Sequence, residues 1–348
     1  MRDPLTIGGT TIQPGQRTYV DLDMPGLYTH SGTTMPVHVI HGKKDGPVLF
    51  LSGALHGDEI NGVEIIRRVL NHRSLSRLSG TLIAVPVVNV YGFLYKSRYL
   101  PDRRDLNRSF PGSQQGSMAA RTANLFLTEI VSKCTHGIDL HTGAIHRDNL
   151  PQVRALLDDA ETEAMARAFR APVILHTAIV EGSLRQEVEK MGISVIVYEA
   201  GEALRFDEVA IRAGTRGVIG VLRELGMLPK GKHRRAPAKS LVGKSSTWIR
   251  APKSGIIRFI KPLGARVARN ELLGIVSDPF GEGEAMVLSS TDGIIIGRTN
   301  LPLVNEGEAL FHIARFKNAE ALADTLEDFQ LEMDPTTDEK PPAEPPIV

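Results

Sequence analysis

The chain has 348 residues, with 41 basic against 40 acidic side chains and 42% hydrophobic residues. That balance argues against a nucleic-acid or anionic-membrane function driven by bulk charge, and the length allows a catalytic domain with a smaller companion. No run approaches the ~20 apolar residues of a spanning helix, and "MRDPLTIGG" lacks the apolar core of a signal peptide, so a cytoplasmic protein is expected.

The first part of the chain, residues 1–228, reads as alternating strands and helices. "GPVLFLSGA" is a β-rich run, and "INGVEIIRRVLNH" places Val63, Ile66 and Leu70 on one helical face. "SGTLIAVPVVNV" reads as a strand, "SMAARTANLFLTEIVSKC" as a helix and "THGIDLH" as a strand. The lone Cys134 just before it has no internal disulfide partner and reads as a buried thiol. "DDAETEAMARAFRA" is a predicted helix, "ISVIVYEA" a strand and "EVAIRAGTRGVIGVLRELGM" a long helix. This alternation predicts an α/β sheet covered by helices on both faces.

Beyond it the texture changes. Residues 229–246, with "PKGKHRRAPAKS", are basic and unpatterned and read as a linker. Residues 247–315 form a β-rich C-terminal domain containing a near-repeat, "SGIIRFIKPLGARVARNELLGIV" against "DGIIIGRTNLPLVNEGEALFHIA". Each half reads strand, turn, strand, turn, strand, so two halves close a small β-sandwich. This module resembles the biotinyl/lipoyl barrel-sandwich carriers, which modify a lysine in a segment like "EAMK". Here "EAMVLSS" puts Val287 at that position, which argues for a scaffold or active-site cover instead of a swinging arm. The terminal segment 316–348 ends, from Met333, in an acidic, Pro-rich tail expected to be disordered.

Chemistry concentrates in the first part. His56 and Glu59, separated by Gly57 and Asp58, sit where a strand gives way to a helix. Zinc takes such ligands, and a catalytic zinc has three of them and an open position. The plainer reading is a satisfied histidine beside a first-turn glutamate favoured by the helix dipole. Position favours the metal: His56 follows "VLFLSGA", His141 ends "GIDLH" and Glu199 ends "SVIVYE", and ligands of open α/β sheets bind outside the carboxyl ends of strands. His72 and His176 look like ordinary surface or packing residues, His233 lies in the linker, and His146 could shape the pocket. In the loop "SRYLPDRRDLNRSFPG", Asn107 and Arg108 make a clamp for a substrate carboxylate, with Arg98 as a second cation. Arg103 and Arg104 read as solvated loop charges.

In order, "HGDE", "DLNRSFPG", "DLHTG" and "YEAGE" resemble the succinylglutamate desuccinylase/aspartoacylase family, relatives of the zinc carboxypeptidases. The resemblance implies a mixed-sheet α/β catalytic fold followed by the β-rich module. It implies one zinc ion bound by His56, Glu59 and His141, with Glu199 as the catalytic carboxylate and Arg98 near the reacting carbonyl. Asn107 and Arg108 become the substrate-carboxylate clamp, and Asp105 an outer partner orienting a zinc imidazole. The expected activity is hydrolysis of the amide bond, or of an ester, in a small carboxylate-bearing N-acyl amino acid. No nucleic-acid or membrane partner is expected, and a homo-oligomer is compatible with the sequence. A carboxypeptidase-like trimming of peptides would use the same motifs. A non-catalytic binding protein on the same fold would show a damaged catalytic set, and this one is intact.

Overall fold

Three apolar runs from the first part of the chain form the centre of the molecule. The computed structural model describes residues 2–231 and 240–316 together with Phe329 and Met333. It sets the strand His136–Gly143 between Lys44–Gly53 and Ser194–Glu202, all parallel. Beyond Lys44–Gly53 lie Ser79–Val85, parallel to it, and then Thr34–His41 and Arg17–Asp23, both antiparallel to their neighbours. On the other side Arg147–Ala155 runs antiparallel to Ser194–Glu202. Central strands of this kind are buried on both faces, and so carry continuous apolar sequence instead of strict alternation.

Helices cover both faces. Asn61–Leu70, Ala160–Phe169 and Glu208–Glu224 share one core with Leu49 and Leu51, while Met118–Glu129 and Leu184–Lys190 share another with Phe50. Successive residues of one strand thus feed opposite cores, as the period-2 geometry of strands requires. Helix Asn61–Leu70 buries Ile65, Ile66 and Val69, with Val63 and Leu70 only half-buried, so the stripe differs from the expected Val63–Ile66–Leu70. The cause is a second surface to cover: Ile65 packs beside Gly214 of helix Glu208–Glu224 as well as over the sheet. The run "SGTLIAVPVVNV" is strand only to Val85. Asn89 Oδ1 accepts the amide of Gly92 at 2.8 Å and caps a short helix, Val90–Tyr95. Cys134 is buried, its thiol pKa pushed up by burial, with Sγ donating to the Ile130 carbonyl.

The C-terminal strands join the same sheet. Leu241–Gly243 lies parallel to Val173–His176, and Ser245–Arg250 starts two residues later, so part of the stretch read as a linker is strand; residues 232–239 lie outside the described residues. Gly293–Thr299 pairs with Arg147–Ala155 and continues through Ala309–Arg315 to Ser245–Arg250. A second, four-stranded antiparallel sheet contains Gly255–Phe259, Leu272–Ser277, Ala285–Leu288 and Leu303–Val304. The two halves of the near-repeat interlock here. The short middle strand Arg266–Val267 pairs with Gly293–Thr299 of the other half, and Leu303–Val304 pairs with Gly255–Phe259. Between the layers lie Leu273, Val276, Ile295, Phe311, Ile313 and the buried Val287.

Phe329 and Met333 pack into the core beside helix Glu208–Glu224; the rest of the tail read as disordered lies outside the described residues. Among the described residues no helix is long and apolar enough to cross a membrane.

The seam between the two parts is apolar: Leu150, Val173 and Leu175 meet Ile294, Ile296 and Ala314. Ile296→Ala is expected to cost about 2–5 kcal/mol by removing fully buried methyl groups, read as a lowered denaturant midpoint with little change in slope.

Candidate active site

The strand Lys44–Gly53 ends in a turn that carries His56 and Glu59 into helix Asn61–Leu70. Both side chains are buried, as is His141 near the end of the neighbouring strand. His56 Nδ1 lies 2.7 Å from Glu59 Oε1, and His141 Nδ1 lies 2.7 Å from Glu59 Oε2. The outer ring nitrogens face other carboxylates: His56 Nε2 lies 3.2 Å from Asp105 Oδ1, and His141 Nε2 lies 2.7 Å from Asp139 Oδ2. Ser52 Oγ donates to the other oxygen of Asp139 at 2.7 Å.

This arrangement fits a metal ion. One ligand atom from each of His56, Glu59 and His141 lies within 4.8 Å of the other two, so the three can share one ion. Metal-bound histidines characteristically donate their second nitrogen to a carboxylate, which fixes the ring and its tautomer. The charges point the same way. Burial alone would lower both histidine pKa values, but Glu59 and Asp105 raise that of His56, and Asp139 and Glu59 raise that of His141 well above its ordinary value. Glu59 is buried, and burial would raise its pKa, yet the two imidazoles hold it far below the usual carboxylate range. Such a density of buried charge suits a divalent cation.

The remaining expected residues converge on the same place. Glu199 is the register partner of His141 across the parallel pair. His56, Glu59, Arg98, Asn107, Arg108, His141 and Glu199 all line one cavity of about 270 Å³. Asp105 stands behind it, linking His56 to Arg98, whose Nη2 donates to Asp105 Oδ2 at 3.0 Å and Nη1 to Glu59 Oε1 at 3.1 Å. Asn107 does more than line the cavity: its Oδ1 accepts the Leu184 amide at 2.9 Å at the start of helix Leu184–Lys190. Its Nδ2 is therefore the end left to the cavity. Arg108 Nη1 donates to the Asn107 carbonyl at 2.6 Å. His72, His146, His176, Arg103 and Arg104 do not line this cavity; His146 is exposed, near Glu202. His233 lies outside the described residues.

Several contributors were not read from the sequence. Asp139 lies two residues before His141 on the same strand face, a spacing that could have found it. Asn149 and Arg154 hold Glu199, and they come from Arg147–Ala155, whose polar, Pro-containing sequence reads as a loop. Arg147, Arg185 and Trp248 also line the cavity, the last from the C-terminal strands. Trp248 stacks on His312 at 4.5 Å between ring centroids, and the Arg147 guanidinium sits 5.2 Å from the indole centroid. The corner itself needs close backbone approach. A Cβ built on Gly57 would lie 1.9 Å from the Gly92 carbonyl carbon, so the turn bearing His56 and Glu59 seats directly on helix Val90–Tyr95.

Comparison with known proteins places this geometry. Residues 45–225 match the family model described as the succinylglutamate desuccinylase/aspartoacylase catalytic domain. The chain belongs to that family. The matched segment contains every expected site residue, whereas Trp248 lies beyond it. A curated relative, the N-alpha-acetyl-L-2,4-diaminobutyric acid deacetylase of Halomonas elongata, is 26% identical over 293 residues, covering 80% of this chain and 85% of its own. A product-bound structure of the ectoine utilization protein EutE (DoeB) from Ruegeria pomeroyi superposes with a TM-score of 0.78 at 26% identity, covering 90% of this chain and 98% of that one. The succinylglutamate desuccinylase/aspartoacylase of Rhodobacter sphaeroides has the same TM-score at 24% identity, over 87% and 97% of the two chains, which establishes shared fold.

Two measurements test the site as family members of this architecture would present it. Asp139→Ala should weaken divalent-metal binding about 10- to 100-fold, the usual cost of losing such an outer partner, read by titration against a chelator. His312 is buried, and burial together with Arg154 lowers its pKa from 6.5 to about 3. Below about pH 6.5 the unfolded chain therefore binds a proton that the folded chain refuses, and stability falls as pH falls. His312→Gln should flatten that decline in denaturant midpoint between about pH 7 and pH 5.

Proposed function

We propose that this protein is a zinc-dependent hydrolase that cleaves the amide bond of a small N-acyl amino acid. The observation that carries the reading is the buried His56–Glu59–His141 cluster opening, beside Glu199, into a cavity that also holds Asn107 and Arg108. His56 Nδ1, His141 Nδ1 and the Glu59 carboxylate would hold the ion, with Asp105 and Asp139 fixing the two rings. When bound, zinc supplies Lewis acidity: it polarises an acyl carbonyl and makes hydroxide available near neutral pH.

The chain's own groups do the rest. Glu199 accepts a proton from the attacking water and returns it to the leaving amine nitrogen. Arg98, on the flank of the cluster, directs its remaining guanidinium N–H groups at the developing oxyanion. Asn107 Nδ2 and Arg108 receive the substrate's carboxylate and so set which bond lies over the reacting centre. An ester of similar shape would meet the same groups. The activity of the Halomonas relative on an N-acetylated amino acid supports the class of reaction.

Cavity size supports a small substrate over a peptide. At about 270 Å³ it lies below the ordinary range of drug-sized pockets, and Trp248 walls it from the C-terminal side. Residues 278–286 of the C-terminal module do not line it. In the same reading the interlocked C-terminal strands are of the barrel-sandwich type, with an intact catalytic set favouring an enzyme over a binding protein.

Glu199→Gln should retain stoichiometric zinc while losing at least about 100-fold in kcat, and His141→Ala should lose the metal itself, both read by elemental analysis beside turnover. Near-native turnover by Glu199→Gln would refute the assigned proton acceptor. Assays of N-acyl amino acids beside short peptides should show activity confined to the former.

A further inference from the structure

Glu199 is held by one oxygen only. Asn149 Nδ2 donates to Glu199 Oε2 at 3.0 Å, and Arg154 Nη2 lies 2.8 Å from the same oxygen. Among the described residues no hydrogen bond reaches Oε1. A carboxylate anchored in this way has one oxygen held by an amide donor and an ion pair and the other left without a hydrogen bond, in a residue that lines the cavity.

Both anchors come from Arg147–Ala155, the strand running antiparallel to the one that carries Glu199. Their reach depends on a local irregularity. The register shifts between Glu199 and Gly201, whose partners on the neighbouring strand are Gln152 and Asn149. On its other edge the same strand pairs with the C-terminal strand Gly293–Thr299, and there Asn149 faces Gly297. A Cβ built on Gly297 would lie 2.8 Å from Asn149 Oδ1 and 3.2 Å from His312 Cβ. A side chain at this position would displace the Asn149 amide that holds Glu199.

We propose that Asn149 and Arg154 are positioning residues that pin Oε2 of Glu199 and thereby present Oε1 as the proton-accepting atom, with Gly297 of the C-terminal module reserving the space that Asn149 needs. The inference rests on Glu199 being the proton acceptor. It gives the module a part in catalysis beyond walling the cavity. Its strand backs the residue that aims the reacting carboxylate.

The test uses the full-length, zinc-loaded protein and an N-acyl amino acid that it hydrolyses. Asn149→Asp keeps the side chain's shape but replaces the donor with an acceptor that repels Oε2. It should lower kcat by about 100-fold, the scale of an ångström-level misplacement of a reacting group, with KM and zinc content unchanged. Gly297→Ala should reproduce the effect from across the strand pair, and Arg154→Lys should recover part of what Arg154→Ala loses. Emission from Trp248, the single tryptophan, and the denaturant midpoint report whether each variant is folded. The decisive comparison repeats Asn149→Asp and Gly297→Ala in a Glu199→Gln background. Residues that act through Glu199 should then cost nothing further in residual turnover. Native kcat in Asn149→Asp, or an undiminished loss on top of Glu199→Gln, would overturn the proposal while leaving the proton acceptor in place. An active Glu199→Gln would instead overturn the assignment of the acceptor itself.

Discussion

The site is organised around one enclosed carboxylate. Glu59 is buried, and an ionised carboxylate largely withdrawn from water is tolerated only when opposite charge and hydrogen bonds replace its hydration. Four groups do so: the imidazoles of His56 and His141, the Thr142 amide at 3.1 Å and the Arg98 guanidinium. They come from a turn, two successive positions of one strand and a distant loop. The need to compensate Glu59 therefore couples local conformation to sheet register, because a one-residue slip of His136–Gly143 would turn His141 to the opposite face. A divalent cation at the same point would take over much of that compensation.

The sheet explains why these groups meet. Parallel strands end at a common edge: the strand leading into the His56 turn and the strand that carries Glu199 flank the one that carries His141. The antiparallel strand Arg147–Ala155 then closes the far side and supplies Arg147, Asn149 and Arg154. Its outer edge is occupied by Gly293–Thr299. The cavity-bearing edge and the C-terminal module are in this way one hydrogen-bonded fabric, and Trp248 reaches the cavity from the module's own strand.

What the sequence disclosed follows from how local each signal is. His56, Glu59, His141 and Glu199 each stand where an apolar run stops, and strand ends are written in neighbouring residues. The loop bearing Asp105, Asn107 and Arg108 carries its own turn residues. The partners of these groups are not local: Asn149 lies fifty positions from Glu199 in the chain, and Trp248 contributes through strand pairing alone. Arg147–Ala155 shows no apolar alternation because its side chains serve a cavity and its backbone is satisfied by strands on both edges. Leu241–Gly243 sits within a basic stretch and becomes a strand only because Val173–His176 offers an edge. Asn107 shows a subtler limit. Its pairing with Arg108 suggested a substrate clamp, while its carbonyl also caps a helix that begins far along the chain.

The contact between Gly57 and Gly92 joins two motifs that look unrelated on paper. Gly57 of "HGDE" lies against the backbone of Gly92 and Phe93, so it cannot gain a methyl group unless that helix retreats, while a methyl group on Gly92 would meet its own cap, Asn89, and the Ser97 carbonyl. The chemistry of the corner makes no demand on Gly57; bulk does. The hinge-like freedom often granted to glycine is absent there, because the residue is wedged against a helix whose own cap, Asn89, is buried. The contact behaves as a mechanical stop that fixes how closely the turn bearing His56 and Glu59 can approach helix Val90–Tyr95.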